Sequence, residues 1–436
     1  MARYDRIAPL PMPARGQAFR AWLALGDLEG RERDAELGRR ARLRFLALRP
    51  VHRLLRQGID RVPVDSYERQ IEGVREELGH LSARDPERAH LAAFLHRIRE
   101  RTPAALVGAT IEMGEAIEST GHYRAAEEYY LTALELAETC GLGHDQTTAL
   151  RLLGRVLRKA ARWDDAEQYY REAIRRSEEM GQRRQWARAM DGLAIAYWYQ
   201  GAYPKARSML EEVLKRGRDW RDDFVVSTAL NSLCVAALTA GDLEQALEYG
   251  WTAVRLVDEG EAQNPILGNL GRAFAQLGMY AAAEHCYGMI LARSSELVIR
   301  NQAAADHALV AAEAGNAEAF RERRKALMAA EDQWRYEPWS CTYIHLHIGR
   351  GCVLIGDVDD AREHLRKAIK LAEKHRYNEQ LIRAEETLGL LEAAAEGVRP
   401  APAALGRPGA VAVRIAEEVE AYSAEALAPT VSYSQP

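Results

Sequence analysis

Residues 114–133 read GEAIESTGHYRAAEEYYLTA, and residues 154–173 read GRVLRKAARWDDAEQYYREA. Each stretch begins with a glycine and has a second small residue seven positions later. An aromatic residue, an alanine, a tyrosine and a second alanine then follow at the same positions in both stretches. Weaker copies follow, and the first small residues of the seven copies are Gly114, Gly154, Ala194, Cys234, Gly271, Ala308 and Gly349. The step between copies is forty positions three times, then thirty-seven twice and forty-one once, and an eighth half-copy begins at Leu388–Gly389. Such a regular period predicts a solenoid of repeated helical units.

The small and aromatic positions predict how each unit packs. A unit would be two antiparallel helices joined by a tight turn. Glycine inside a helix costs about 1 kcal/mol relative to alanine, so Gly114 and Gly154 indicate bulky neighbours that need the space. Tyr130 and Tyr170 would fill the gaps between successive units. The turn residue is glycine in six of the seven copies, as a left-handed helix cap favours, and Ala161 is the exception.

This pattern resembles the tetratricopeptide repeat family, in the long-period form that is similar to the repeats of kinesin light chains. The resemblance covers roughly residues 103–394 and implies an all-α, right-handed superhelical solenoid of helix-turn-helix repeats. It is weakest in the copy that begins at Ala308. That copy has Phe320 where the family has alanine and Arg324 where it has an aromatic residue.

The rest of the chain suggests further segments around the repeats. We expect an extended segment at 1–15, an N-terminal helical block of degenerate repeats that caps the solenoid at 16–101, seven repeats plus a capping helix at 102–396, and a Pro-rich linker with a short helix and tail at 397–436. Helices in the N-terminal block are expected at 17–25, 34–48, 64–81 and 86–101. Pro50 would end the second of them, and Asp65 or Ser66 would cap the third. Asp85 and Thr102, each followed by proline, would cap the next two helices.

Composition is that of a folded protein without obvious targeting signals. The 436 residues are 47% hydrophobic and 28% charged, and the net charge of −5 does not indicate a class of partner. The five cysteines are scattered without a CxxC pair, which is typical of reduced thiols. We find neither a signal-peptide-like start nor an apolar run long enough to span a membrane, so a cytoplasmic protein is expected. The excess of arginine over lysine favours a GC-rich bacterial genome, with selection for anion binding as the alternative.

No motif for catalysis, nucleotide binding or metal binding stands out. The chain has no P-loop, nucleophile elbow or HExxH sequence. His345 and His347 lie near Cys341 and Cys352, but a spacing of two positions places the histidines on different faces of a helix. Ordinary packing is therefore the favoured interpretation over zinc binding. We expect no enzyme activity, no cofactor and no metal.

The resemblance also implies a ligand groove, because in the family the first helix of each unit lines the concave face. The family's offsets from the small residue give the candidate groove residues Arg151, Arg155, Arg158, Lys159, Arg188, Asp191, Trp198, Tyr199, Asn231 and Arg272. Four cations on one helix face, two aromatics and an amide suit an extended peptide with an acidic group. The alternative is that Arg158 and Lys159 pair with glutamates of the neighbouring unit and only solvate the helix.

The predicted function is therefore a non-enzymatic scaffold or adaptor that binds an acidic peptide segment of a partner protein. The alternative is a peptide-sensing regulator that relays to an effector or to the transcription machinery. Such regulators usually carry a head domain at the N-terminus, and no helix-turn-helix is recognisable at 16–101. Residues 1–60 contain 13 Arg and 7 acidic residues, but nucleic acid is not a favoured partner because stacking aromatics are few. No membrane partner is expected, and homo-oligomerisation is left open.

Overall fold

The computed structural model describes residues 32–82, 85–258, 260–331, 334, 338–375, 377–395 and 408–427. The regular secondary structure in these ranges is entirely helical, and the chain divides within one helix into two compact units, Met1–Met209 and Leu210–Pro436. The first unit contains α1 (Glu32–Gln57), α2 (Val64–Glu77), α3 (Pro86–Arg97), α4 (Pro103–Ser119), α5 (Tyr123–Thr139), α6 (Gly143–Lys159), α7 (Trp163–Glu179), α8 (Arg183–Tyr199) and the start of α9 (Tyr203–Trp220). The second unit continues with α10 (Asp223–Ala240), α11 (Leu243–Val254), α12 (Asn264–Gln276), α13 (Tyr280–Arg293), α14 (Leu297–Glu313), α15 (Ala317–Ala329), α16 (Pro338–Ile355), α17 (Val358–His375), α18 (Asn378–Ala395) and α19 (Ala410–Ala426).

Consecutive helices pair as hairpins in both units. In the first unit α4 packs on α5 and α6 on α7, and these hairpins begin one repeat period apart, at Pro103 and Gly143. In the second unit the pairs are α10 with α11, α12 with α13, α14 with α15 and α16 with α17, and α18 follows alone. The predicted all-α solenoid of helix-turn-helix repeats is confirmed.

Tyrosines fill the space that the mid-helix glycines leave, as predicted. A Cβ atom on Gly114 would lie 2.6 Å from the ring of Tyr130, and one on Gly154 would lie 2.8 Å from the ring of Tyr170. The ring of Tyr170 also packs directly against Gly192 in the next hairpin. Tyr170 therefore lies at a contact between successive hairpins of the first unit. A side chain at Gly154 or Gly192 would displace its ring.

The hairpin turns adopt the left-handed conformation that the sequence predicts. Positive φ angles between 73° and 84° occur at Gly121, Gly201, Gly241, Gly278, Gly315 and Gly356. Ala161, the exception in sequence, adopts the same conformation with φ of 56°. A residue that carries a Cβ atom is strained there. The turn geometry is therefore imposed by the hairpin rather than by the turn residue.

Replacing Ala161 with glycine is expected to stabilise the protein by about 0.5–1 kcal/mol, because glycine removes the left-handed strain. Ala161 is exposed, so no packing is lost. Denaturant unfolding of the variant measures the change. The reverse substitution Gly201→Ala is the matched control and should destabilise by about the same amount. A destabilised Ala161→Gly variant would contradict this account of the turn.

The N-terminal block differs from the sequence prediction at its helix ends. Pro50 does not end a helix, because α1 continues through it to Gln57. The reason is tertiary packing: Val51 and Leu54 beyond the proline are fully buried, and their burial outweighs the loss of one backbone hydrogen bond. The predicted helix at 17–25 lies outside the described residues.

The predicted helix caps are right in two cases and wrong in one. The Asp85 carboxylate accepts a hydrogen bond from the Glu87 amide at 3.0 Å, and the Thr102 hydroxyl accepts one from the Ala105 amide at 3.3 Å. By contrast, α2 begins at Val64 after Pro63, so Asp65 and Ser66 lie inside its first turn instead of capping it. An acidic residue in the first turn still interacts favourably with the helix dipole.

Two arginines of α1, Arg40 and Arg44, pair with acidic residues at the start of α3. The buried Arg44 guanidinium pairs with Glu87 on α3, and its Nη2 donates to Glu87 Oε2 at 2.8 Å. Arg40 pairs with Asp85 at 2.9 Å. The hydroxyl of Tyr129 on α5 donates to the Arg44 carbonyl at 2.8 Å, so the block is fixed to the first hairpin.

One helix in the described residues, α10, is long and apolar enough to cross a membrane by length and composition alone. It packs against α11 and α12, and 56% of it is buried in the second unit. A core helix of a solenoid has the same length and composition.

Candidate functional site

A cavity of about 350 Å³ lies in the first unit between α4, α6 and α8. Its lining residues are Glu115 on α4, Arg151, Arg155 and Arg158 on α6, Tyr170 on α7, and Arg188, Asp191, Gly192 and Ile195 on α8. We call this cavity the arginine pocket. Five of the ten predicted groove residues meet in it, namely Arg151, Arg155, Arg158, Arg188 and Asp191.

The repeat period explains why these residues come together. Arg151, Arg155 and Arg158 are spaced by four and three positions, so they share one face of α6. Hairpins that recur with a fixed period place equivalent positions side by side. Arg155 accordingly lies beside Glu115, with an Nη2–Oε1 distance of 3.2 Å. The helix spacing and the repeat period thus build a single polar surface from three hairpins.

Glu118 on α4 holds part of this positive charge in place. Its side chain is only 2% exposed, accepts a 2.6 Å hydrogen bond from the Tyr130 hydroxyl, and forms ion pairs with Arg155 at 2.8 Å and Lys159 at 2.9 Å. Burial alone would raise the pKa of Glu118, but the two cations and the hydrogen bonds lower it to about 2. Arg155 and Lys159 are therefore committed to a buried carboxylate. Lys159 thus pairs with a glutamate of the neighbouring hairpin, as the alternative considered above has it.

Arg151 and Arg188 lie among other cations. Burial, then the charges of Arg155 and Arg188, lower the pKa of Arg151 to about 10. Burial and the charge of Arg184 likewise lower the pKa of Arg188. The Arg151 Nε donates to Gln185 Oε1 at 3.3 Å, which orients the guanidinium without neutralising it. With four arginines and two carboxylates in its lining, the pocket has an excess of positive charge that an anion would stabilise.

Arg158 joins the pocket to an exposed aromatic ring. Its guanidinium lies 5.9 Å from the ring centroid of Tyr199 and hydrogen bonds with Tyr170. Its buried Nε has no hydrogen-bond partner in the described part of the chain. Tyr199 also packs on Trp163, with centroids 6.1 Å apart, yet 55% of it stays exposed. The exposed ring of Tyr199 is therefore available to pack against an apolar group of a ligand in the pocket.

Besides Tyr199, two predicted residues of the first unit lie outside the pocket lining. Lys159 is bound to Glu118, and Trp198 packs edge-on against Tyr203 with centroids 4.6 Å apart. Of the two predicted aromatics, Tyr199 is therefore the one that remains available beside the pocket.

Asn231 and Arg272 belong to another polar network, in the second unit. The Asn269 amide donates to Asn231 Oδ1 at 2.8 Å, and Arg272 donates to Asn269 Oδ1. Nearby, the buried Asp306 accepts a 2.6 Å hydrogen bond from the Tyr343 hydroxyl. Burial raises the pKa of Asp306 to about 6, although Arg272 acts in the opposite direction. The Asn231 amide oxygen is therefore already engaged within the protein.

Sequence reasoning missed Glu115, Glu118 and Tyr170 as parts of the site. The first two could have been found, because Glu115 and Glu118 lie one and four positions after Gly114, as Arg155 and Arg158 do after Gly154. Tyr170 was assigned only a packing role. Its ring does fill the core, but its hydroxyl reaches Arg158.

His345 and His347 contact different parts of the protein. His345 Nδ1 lies 2.8 Å from His364 Nδ1, whereas His347 Nε2 lies 3.3 Å from Asp306. The two histidines therefore face different neighbours. No group of three or more potential ligands occurs among the described residues.

Comparison with solved structures identifies similar folds. The chain is similar to the Rap conjugation gene regulator of plasmid pLS20, solved in complex with the Phr* peptide, at 12% identity with a TM-score of 0.50, covering 78% of this chain and 98% of that one. It is also similar to a Rap protein complexed with competence and sporulation factor, at 13% identity and a TM-score of 0.37, covering 81% and 99%. The apo form of the quorum sensor NprR from B. thuringiensis matches at 13% identity and a TM-score of 0.42, covering 74% and 97%. At these identities the likeness concerns the fold alone.

Comparison of the sequence with known families agrees with the repeat pattern. No curated protein matches the chain. Residues 101–179 and 186–219 match models of the tetratricopeptide repeat. These segments contain the hairpins that form the arginine pocket. Together with the hairpin fold and the mid-helix glycines, they show that residues 101–219 of this chain contain tetratricopeptide repeats.

Proposed function

We propose that this protein is a non-enzymatic, cytoplasmic peptide-binding protein whose first unit captures an acidic group of an extended peptide in the arginine pocket. The observation that carries the proposal is the charge of the pocket. Four arginines face two carboxylates, and the pKa values of Arg151 and Arg188 are lowered by burial and by other cations. A bound carboxylate relieves that repulsion and accepts charge-assisted hydrogen bonds from the guanidinium groups.

The size and shape of the pocket fit part of a peptide. A volume of about 350 Å³ is near the lower end of the range for small-molecule sites, about 300–1,000 Å³. It accommodates one or two side chains, so the rest of a peptide would lie along the first helices of the hairpins. Ile195 and the exposed ring of Tyr199 offer apolar contact beside the guanidinium groups. The preferred ligand therefore combines an acidic residue with an apolar or aromatic neighbour.

The fold comparison supports a peptide as the ligand. The Rap conjugation gene regulator, which shares this fold at a TM-score of 0.50, was solved with a peptide bound. That protein is a regulator, which favours a second candidate function for this chain: a peptide sensor that relays to an effector or to the transcription machinery. Both functions use the arginine pocket and differ in the consequence of ligand binding. A peptide that changes the affinity of the protein for a second partner would favour the sensor.

Removing charge from the pocket is expected to abolish its preference for acidic peptides. The double variant Arg151→Gln/Arg188→Gln keeps polar side chains but removes two cations. Since each hydrogen bond to a charged group contributes about 1.5–3 kcal/mol, losing two of them should lower the affinity for an acidic peptide by at least about 100-fold. Arg155 is left intact because its loss would remove one of the two cations that pair with the buried Glu118.

Fluorescence anisotropy with two labelled hexapeptide pools tests this expectation. One pool has aspartate or glutamate at a fixed position, and the other has asparagine or glutamine there. The wild type should bind the acidic pool more tightly, and the double variant should bind both pools equally weakly. Lys215→Glu, which reverses an exposed cation of α9 outside the pocket lining, is the control and should behave as wild type. Equal binding of both pools by the wild type would refute the proposal.

A further inference from the structure

The C-terminal helix α19 packs against α11 and α13 of the second unit. Its buried side chains are Ala412, Ile415, Val419 and Ser423, spaced by three, four and four positions. That spacing forms one continuous stripe along a helix. The opposite face of α19 is exposed and includes Val413 and Glu420. The helix is therefore amphipathic, and its apolar side is the side that contacts the solenoid.

Polar contacts fix the position of α19 on this face. The Trp251 indole Nε1 donates to Glu418 Oε2 at 2.5 Å, and the Tyr422 hydroxyl donates to Gln263 Oε1 at 2.9 Å. The rings of Trp251 and Tyr422 meet edge to face, with centroids 5.8 Å apart. Arg255 lies 4.0 Å from Glu418. In addition to the apolar stripe, Glu418 and Tyr422 therefore contact three residues of the second unit, Trp251, Arg255 and Gln263.

Comparison with the equivalent positions of other repeats shows that the face of α11 and α13 under α19 carries unusual apolar residues. Trp251 lies at offset +17 from the small residue Cys234, and at that offset other hairpins carry exposed charges, namely Arg171, Glu211 and Arg366. Met289 lies at offset +18 from Gly271 and is fully buried, whereas that offset gives the exposed residues Glu212 in α9 and Lys367 in α17. Trp251 on α11 and Met289 on α13 are thus apolar at positions where α9 and α17 carry exposed charges.

The first hairpin provides an independent comparison. Leu131 on α5 lies at offset +17 from Gly114 and is also apolar and buried. There α1 packs on α5. In each unit, the hairpin with an apolar residue at offset +17, Leu131 or Trp251, is therefore one on which an additional helix packs.

We propose that the face formed by α11 and α13, centred on Trp251 and Met289, is a docking site for an amphipathic helix, and that α19 is its built-in ligand, which a partner helix of the same pattern displaces. The partner helix would carry small or β-branched residues at i, i+3, i+7 and i+11. A glutamate at i+6 would accept the Trp251 hydrogen bond, as Glu418 does relative to Ala412. This site is separate from the arginine pocket and does not depend on the function proposed for it.

The composition of α19 favours exchange over permanent attachment. Its buried stripe consists of one isoleucine, one valine, an alanine and a serine, so each side chain contributes little apolar area. A free helix of 17 residues is only marginally stable in water, so binding must also order the helix. Attachment to the chain offsets that cost, because a short tether gives an effective concentration of up to the millimolar range. A partner helix with β-branched residues at the positions of Ala412 and Ser423 would bury more apolar area and compete successfully.

The test uses the full-length protein and a labelled peptide with the sequence of residues 408–427. In the variant Ile415→Asp/Val419→Asp the tethered α19 can no longer occupy its site, so the peptide should bind at least about 10-fold more tightly than it binds wild type. Val413→Asp, on the exposed face of α19, is the matched control and should exclude the peptide as wild type does. Adding Met289→Glu to the double variant should abolish peptide binding.

Two results would overturn the proposal. Equal affinity of the peptide for wild type and double variant, or no binding to either, would show that α19 is not an exchangeable ligand of this face. A wild-type dimer that dissociates in the double variant but not in Val413→Asp would also overturn it, because a second copy of the chain would then supply the helix. Light scattering on the same samples distinguishes the dimer from the monomer.

Discussion

Tyr170→Ala lowers the free energy of unfolding by about 3–4 kcal/mol, the largest loss we expect from any single side chain in the first unit. The ring is 1% exposed and lies between Gly154 of its own hairpin and Gly192 of the next. Because both flanking residues lack side chains, the cavity left by truncation cannot be filled by a simple rotamer change. Urea denaturation of the variant gives the loss directly.

Matched variants separate packing from the polar contact of Tyr170. Tyr199→Ala removes a tyrosine that is 55% exposed in the same unit, so its effect should stay within about 0.5 kcal/mol. Tyr170→Phe keeps the ring and loses only the hydroxyl, so most of the stability should be retained. A loss below about 1 kcal/mol in Tyr170→Ala would contradict the position assigned to this ring.

A double-mutant cycle tests whether the tyrosine and the glycine are coupled. Gly192→Ala alone should destabilise the protein, since the added Cβ overlaps the Tyr170 ring. In the Tyr170→Ala background the same change should be neutral or stabilising, because alanine favours a helix over glycine by about 1 kcal/mol. The sign of the effect therefore depends on whether the ring is present. Additive effects would show that the two residues do not touch.

The hairpin architecture could be predicted from sequence because its determinants are local and repeated. Gly154 and Tyr170 belong to one copy of the repeat, and the same pair recurs at the same separation as Gly114 and Tyr130. Each repetition is a separate observation of the same contact, so the period is recognised with little ambiguity. Features that occur once offer no such repetition. The continuation of α1 through Pro50 is one example, because it depends on the burial of neighbouring apolar residues.

The arginine pocket could be predicted in part, and the limit has a physical cause. Spacing along α6 shows which side chains share a face, and therefore groups Arg151, Arg155 and Arg158. It does not show which of them are neutralised, since that depends on α4, where Glu118 binds Arg155 and Lys159. The spacing also does not determine the rotamers of these arginines, and the rotamers decide which acidic residues they contact. The docking of α19 on α11 and α13 lay beyond prediction because no repeated pattern relates these helices.

Glu118→Gln is expected to destabilise the protein by about 2 kcal/mol at neutral pH, because it leaves Arg155 and Lys159 close together without their shared carboxylate. Removing one member of a buried ion pair costs about 3–5 kcal/mol. The expected value is smaller here because the two cations are 29% and 38% exposed and are partly screened by solvent. Glu179→Gln breaks an exposed pair with Arg175 and should cost less than about 0.5 kcal/mol.

The effect of Glu118→Gln should depend on pH in a definite direction. The pKa of Glu118 in the folded protein is about 2, below its ordinary value of 4.5. A carboxyl with a lowered folded-state pKa stabilises the protein fully above its unfolded pKa, and this contribution disappears as the pH falls through the folded pKa. The stability difference between wild type and Glu118→Gln should therefore be constant above about pH 5 and shrink between pH 4.5 and 2. If the difference stays constant down to pH 2.5, the carboxylate is not the group that stabilises Arg155 and Lys159, and the charge distribution of the neighbouring arginine pocket must be reassigned.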